Sequence, residues 1–203
     1  MGTSSNQRGT KVTTAVSANS AQMAAAKQSI RAQIRQARQL RAHGELDDAI
    51  AAHAASLSHG AAQVAAYFPT TGEPGGQSLL PALSKHCRPL IPRTLEDAEM
   101  DLGWADGPLI PTSFGAQEPV AGGHAFSTCD LIFVPALACT RDGYRLGQGG
   151  GFYDRALVDV NAPVIALLYD EEVLNELPVE EHDMRVSGVI TPSGLFWCNG
   201  TKN

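Results

Sequence analysis

The sequence predicts an α/β fold: a single three-layer domain with a largely parallel central sheet and helices on both faces. Three observations carry this. Short continuous apolar runs at residues 61–68, 130–137 and 162–169 are too brief for buried helices and suit strands covered on both sides. Stretches with helical apolar spacing lie between them, the alternation that builds parallel sheets. A chain of 203 residues, 43% hydrophobic and 18% charged, holds enough apolar material for one sizeable core, which excludes a wholly disordered chain.

Residues 1–20 are rich in Ser, Thr, Asn and Gly without apolar periodicity, and are expected to form a disordered leader to a domain spanning 21–203. Their basic, acid-free composition also suits an organelle-targeting segment. From Ala21 to His43, Met23, Ile30, Ile34 and Ala37 mark one helical face, and Lys27, Arg31, Arg35 and Arg38 a second. Gly44 ends that helix, and a second is expected over Glu45–Leu57, closed by His59–Gly60. The run Ala61–Phe68 reads as a buried strand leading into the turn-rich PTTGEPGG, residues 69–76. A helix near Gln77–His86 and a strand over Cys87–Pro92 follow. The Gly- and Pro-broken region 94–128 leaves room for short strands around Met100–Trp104. Asp130–Leu137 is the clearest central strand. A glycine-rich loop follows, then a helix over Phe152–Val160, a strand over Ala162–Tyr169, a helix over Glu171–Leu177 and a last strand over Val186–Thr191.

Composition narrows the function. The net charge of −6 argues against a broad nucleic-acid-binding surface. No apolar run approaches the roughly 18 residues needed to span a bilayer. The four cysteines form no CxxC pair and no Cys/His cluster has zinc-ligand spacing, which fits incidental thiols in a reducing cytoplasm. Charge is unevenly spread, however. Residues 1–43 carry seven Lys/Arg and no acid, leaving the remainder with a balance of −13, so the basic arm has a local task.

The strongest chemical signal is GYRLGQGGGFYDRAL, Gly143–Leu157, soon after a predicted strand and opening a helix. Gly147, Gly149, Gly150 and Gly151 leave backbone N–H groups unshielded, and amides at a helix start make an anion site, most often for phosphate. Arg145 adds a bidentate donor, Arg155 a second, and Asp154 places a hard carboxylate beside the site where Mg²⁺ could be held. The competing reading is a plain flexible loop with an acid favoured by the helix dipole. The loop lacks the GK[ST] ending of a P-loop and the spacing of a dinucleotide fingerprint. Lys27 and Arg31, four apart, could clamp a polyphosphate, or form an ordinary solvated face that contributes little to folding. Glu73 lies beyond a strand end, on the expected ligand rim. His182–Asp183 precedes the last strand.

These residues resemble the 5-formyltetrahydrofolate cyclo-ligase family, also called 5,10-methenyltetrahydrofolate synthetases. LIFVPALACTRDGYRLGQGGGFYDRAL is similar to that family's VPG…GxRLGxGxGYYD signature, and KQSIR (Lys27–Arg31), Glu73, Ile91–Arg93, Glu118–Pro119 and Leu177–Asp183 match in order, across residues 24–192. The resemblance implies a monomeric, cytoplasmic ligase that converts 5-formyltetrahydrofolate to 5,10-methenyltetrahydrofolate. ATP is its co-substrate and Mg²⁺ its cofactor, ADP and phosphate are released, and a phosphorylated formyl intermediate is formed. It implies ATP binding by Lys27, Arg31, Arg145, Leu146, Gly147, Gln148, Gly149, Gly150, Gly151, Phe152 and Tyr153. Folate contacts fall on Phe68, Glu73 and the loop Gly149–Tyr153, and Mg²⁺-associated carboxylates on Asp154 and Asp183. No general acid or base is singled out. The chain departs from the pattern at Ala136 for the first motif glycine, in LACT, at Phe152 for a tyrosine and at Glu172 for a glutamine that contacts folate. Two other readings compete: a non-catalytic phosphometabolite-binding regulator on the same fold, which need not keep Lys27, Glu73 and Asp183, and a sugar-phosphate isomerase, which would need a proton-transfer pair near the loop.

Overall fold

A computed structural model describes residues 7–96, 99–113, 115–180 and 183–199, with side chains from Ser20 onward. Helix α1 (Gln7–Leu40) leads into α2 (Gly44–Leu57). The main sheet takes β1 (Val64–Ala65), β2 (Leu90–Thr94), β3 (Met100–Trp104), β6 (Leu131–Pro135), β9 (Val164–Leu167), β11 (Gly188–Thr191) and β12 (Gly194–Trp197). Its order is β12-β11-β9-β6-β1-β2-β3. The five inner strands run parallel and the two outer ones antiparallel. A hairpin of β4 (Leu109–Pro111) and β5 (Gln117–Pro119) and a small sheet of β7 (Ala138–Thr140), β8 (Arg145–Leu146) and β10 (Val173–Leu174) complete the strands.

Alternation along the strands divides the core. Val64, Leu131, Phe133, Ile165 and Leu167 face α2 and α3 (Leu79–Leu83), where Ile50, Ala54, Leu79 and Leu83 meet them. Ala65, Ile132, Val134, Ala166 and Val189 face the other way, toward Leu157 after α4 (Phe152–Ala156), Phe126 and Cys139. The parallel centre follows from this: strands buried on both faces tolerate near-continuous apolar sequence. Truncating fully buried Phe133 to Ala would cost about 3–5 kcal/mol.

Several elements differ from the sequence reading. The first helix starts at Gln7 rather than Ala21. Residues 1–6 lie outside the described residues. The helix expected over Gln77–His86 shrinks to a 3₁₀ turn and the five-residue α3. The one expected over Glu171–Leu177 is absent: a 3₁₀ turn at Asp170–Glu172 gives way to β10, because Val173 and Leu174 pair with Cys139 and Thr140. β12 was not foreseen. No disulfide joins the four cysteines, and only Cys87 is not buried. No helix among the described residues is long and apolar enough to cross a membrane.

In the sheet, β1 neighbours β2 on one side and β6 on the other, so the chain reverses its direction of travel between β1 and β6. Ligands of open α/β sheets bind at the strands' carboxyl ends at such a switch point. Tyr67 and Phe68 follow β1 there, and Pro135 closes β6.

Candidate functional site

A cavity of about 820 Å³ opens at this switch point. It is lined by Tyr67, Phe68, Glu73, Pro135, the whole run Arg145–Asp154, Lys27, Arg31, Arg35, Glu180 and Asp183. All fifteen residues named from the sequence as ATP, folate or metal contacts reach this one cavity. His182 lies outside the described residues.

The glycine loop is shaped by two tight strands. β7 turns through Gly143 into β8. Gly143 has φ +87°, and a Cβ there would lie 2.5 Å from the carbonyl oxygen of Val186, so no other residue fits. β8 delivers Arg145 and Leu146 to the cavity and the chain then runs through Gly147–Gly151. Gly149 has φ +108°, and a Cβ there would stand 3.4 Å from the Arg31 guanidinium carbon. The helix behind the loop, α4, has five residues rather than nine. Its dipole is correspondingly small, so the loop amides and Arg145 must supply most of any anion attraction.

Arg145 is the informative side chain. Its Nη2 donates to Asp154 Oδ1 at 2.8 Å, while Nε and Nη1 are buried with no partner. Unpaired buried guanidinium donors are costly, and a negatively charged ligand would satisfy them. Beside it, burial pushes the Tyr153 phenol well above its ordinary range, as does Glu73, and Tyr67 behaves alike, so both stay protonated. Tyr67 donates to the Pro74 carbonyl at 2.6 Å, which braces the turn that presents Glu73. One Glu73 oxygen, Oε2, accepts from the Thr70 N–H and hydroxyl, both at 2.8 Å.

The basic stripe of α1 is docked through Lys27, Arg31 and Arg38, while Arg35 stays exposed. Lys27 Nζ donates to Glu180 and Asp183, each at 2.7 Å, and is 6% exposed. Burial acts to lower its pKa, but the bonds to Asp183 and Glu180 outweigh that and leave it raised. Arg31 donates to the Gly147 carbonyl at 2.9 Å, and Arg35 to the Gln148 side chain at 2.7 Å. Arg38 donates to both oxygens of Glu172 and to the Ala136 carbonyl. Lys27 and Arg31 are therefore not the exposed pair the sequence suggested. Glu172, where the family carries a glutamine, does not line the cavity: 2% exposed, it anchors α1 through Arg38 and Arg41. The sequence reading did not single out Arg35, Thr70 and Glu180 as cavity residues. Arg35 continues the spacing of Lys27 and Arg31 and was legible as such; Glu180 was hidden in an ordinary acidic run.

For Mg²⁺, Asp154, Asp183 and Glu180 bring hard carboxylate oxygens to the cavity. No group of three or more metal-binding side chains occurs among the described residues. An open set of this kind fits Mg²⁺, which is typically held by one or two carboxylates together with a ligand's phosphates.

Fold and cavity together define an α/β protein with an anion-receptive cleft at the switch point of a mainly parallel sheet. Comparison with known proteins makes that class specific. Residues 23–192 match the model of the 5-formyltetrahydrofolate cyclo-ligase family, and the chain belongs to that family of enzymes. It is 40% identical over 141 residues to a 5-formyltetrahydrofolate cyclo-ligase of Mycolicibacterium smegmatis, covering 64% of this chain and 73% of that one. A cyclo-ligase of the same description from Haemophilus influenzae is 28% identical over 181 residues, covering 81% and 96%. The solved 5,10-methenyltetrahydrofolate synthetase of Aquifex aeolicus superposes with a TM-score of 0.73 at 26% identity, covering 87% of this chain and 95% of that one.

Proposed function

We propose that the chain converts 5-formyltetrahydrofolate and ATP to 5,10-methenyltetrahydrofolate, ADP and phosphate. The observation that carries this is Arg145, held by Asp154 with two buried donors unpaired beside the glycine loop, in a chain of this family. The loop amides and Arg145 receive the triphosphate, with Arg31 at the loop's edge. Lys27 contributes positive charge from between Glu180 and Asp183. Phe68 and the Phe152–Tyr153 pair give the pterin flat apolar surface, and Glu73 Oε1, held only by a long 3.5 Å bond from the Gln148 side chain, accepts from its N–H groups.

The formyl oxygen attacks the γ-phosphorus as the bond to ADP breaks. The oxygen, a poor leaving group, becomes a phosphate ester. N10 then attacks the formyl carbon, N10 loses its proton, the C–O bond breaks and phosphate departs. The protein's task is to place the two substrates in line and neutralise phosphate charge. Mg²⁺, bound through Asp154 and Asp183, would neutralise phosphate charge further. Purified protein with 5-formyltetrahydrofolate, ATP and Mg²⁺ should develop methenyltetrahydrofolate absorbance and release one phosphate per product. ATP binding by folded protein without product would favour the non-catalytic regulator instead.

A further inference from the structure

Outside the cavity, His43, Tyr169 and Asp47 form a line whose hydrogens can be counted. His43 Nε2 lies 2.8 Å from the Arg38 carbonyl oxygen. A carbonyl only accepts, so Nε2 carries a hydrogen. His43 Nδ1 lies 2.7 Å from Tyr169 Oη, and Oη lies 2.7 Å from Asp47 Oδ1. Two contacts this short need two hydrogens. The phenol has one and keeps it, because burial and the bond to Asp47 push its pKa well up. The other must sit on His43 Nδ1 or on the Asp47 carboxyl.

We infer that His43, Tyr169 and Asp47 share one such additional proton, and that it fixes α1 relative to the 69–76 turn across the cleft. None of the three lines the cavity; they are positioning residues. At one end His43 caps the last turn of the helix that carries Lys27 and Arg31. At the other, Asp47 Oδ1 accepts from the Gly75 N–H at 3.0 Å, in the turn that carries Glu73. A Cβ at Gly76 would come within 2.4 Å of Asp47 Oδ2, so turn and carboxyl are closely fitted.

Charges face the line from every side. Arg38 of α1 and Arg41 just after it place guanidinium carbons 5.7 and 4.2 Å from the Tyr169 ring centre. Glu171 and Glu172 follow β9, Asp48 lies on α2 and Glu73 on the turn. Burial raises the Asp47 carboxyl above its ordinary value, against the lowering influence of Tyr169, His43 and Gly75. Either placement holds the same number of protons. Losing that proton as pH rises leaves two lone pairs facing at one gap, and the line opens there. With the proton on Asp47, whose carboxyl burial raises, stability from the line is present at low pH and lost as pH rises through its transition.

The test uses the full chain. In ¹⁵N NMR of ring-labelled, ligand-free protein, His43 Nε2–H should persist while one further hydrogen-bonded proton disappears as pH rises. Hydrogen exchange at Gly75 and across 27–38 should quicken in the same window. In the enzyme assay, Tyr169→Phe should raise KM for ATP about fivefold, the worth of one hydrogen bond, with kcat within about twofold. It should also abolish the pH dependence of KM in that window. His43→Gln, which keeps an amide donor for the Arg38 carbonyl, should flatten the profile likewise. A single proton in the line at every pH at which the protein is folded overturns the inference, as does a Tyr169→Phe profile parallel to the parent. The NMR and exchange readouts need no ATP, so a failure of the ligase reading shows separately.

Discussion

Arg31 reaches from α1 to the glycine loop, its Nε donating to the Gly147 carbonyl oxygen at 2.9 Å. The basic helix and the loop thus form one wall of the cleft, and substitutions on either side should report on the other.

Gly149→Val forces a branched side chain to φ +108° and into the Arg31 guanidinium. The strain is about 1–3 kcal/mol, so unfolding should stay cooperative. ATP binding followed by calorimetry should weaken at least about tenfold. Unchanged ATP affinity would remove the loop from the nucleotide site.

Lys27→Met leaves Glu180 and Asp183 facing each other without their shared cation. With the pair partly buried, the cost should be about 2 kcal/mol, between the exposed and fully buried cases. That lowers the melting temperature by roughly 4–8 °C for a chain of this size. Arg31→Ala should melt near the parent yet raise KM for ATP. Because Lys27 is raised, its contribution holds below the ordinary lysine pKa and fades only as pH climbs through the raised value. A scan of melting from pH 7 to 9 should therefore show the Lys27→Met deficit unchanged.

Glu172→Gln restores the residue usual in the family and removes the charge that Arg38 and Arg41 share. About 3 kcal/mol of stability should be lost in urea titration. KM for folate should hold. A selective change in folate KM at unchanged stability would return Glu172 to the substrate site.

Asp154→Asn keeps the shape but not the charge beside Arg145. The Mg²⁺ concentration for half-maximal rate should rise about tenfold or more. An unaltered Mg²⁺ titration would leave Asp154 as the partner of Arg145 alone.

Deleting residues 1–20 should leave activity and melting nearly unchanged, since that stretch has little apolar content to offset the entropy of ordering. Loss of activity in the purified deletion protein would move the domain boundary toward the N-terminus.

The parallel centre was readable because strands buried on both faces need apolar runs, and Leu131–Pro135 and Val164–Leu167 lie inside the runs that predicted them. The glycine loop was readable because its residue types are demanded by backbone geometry. Tertiary partners were not. Glu171–Leu177 has helical composition, yet Val173 and Leu174 pair with β7 and Glu172 turns inward to Arg38. Lys27 spaced itself like a solvated charge, and nothing local revealed that Glu180 and Asp183 would come to it.

The anchors of α1 also set an order of events during synthesis. Lys27 lies 156 residues ahead of Asp183, and Arg38 134 ahead of Glu172. The helix leaves the ribosome long before its acidic partners are made. A nascent chain can assemble β1, β2 and β6 while α1 waits with its cations unpaired. Contacts so distant in sequence form late. The helical side of the cleft is thus translated well before its partners and is the last to be seated.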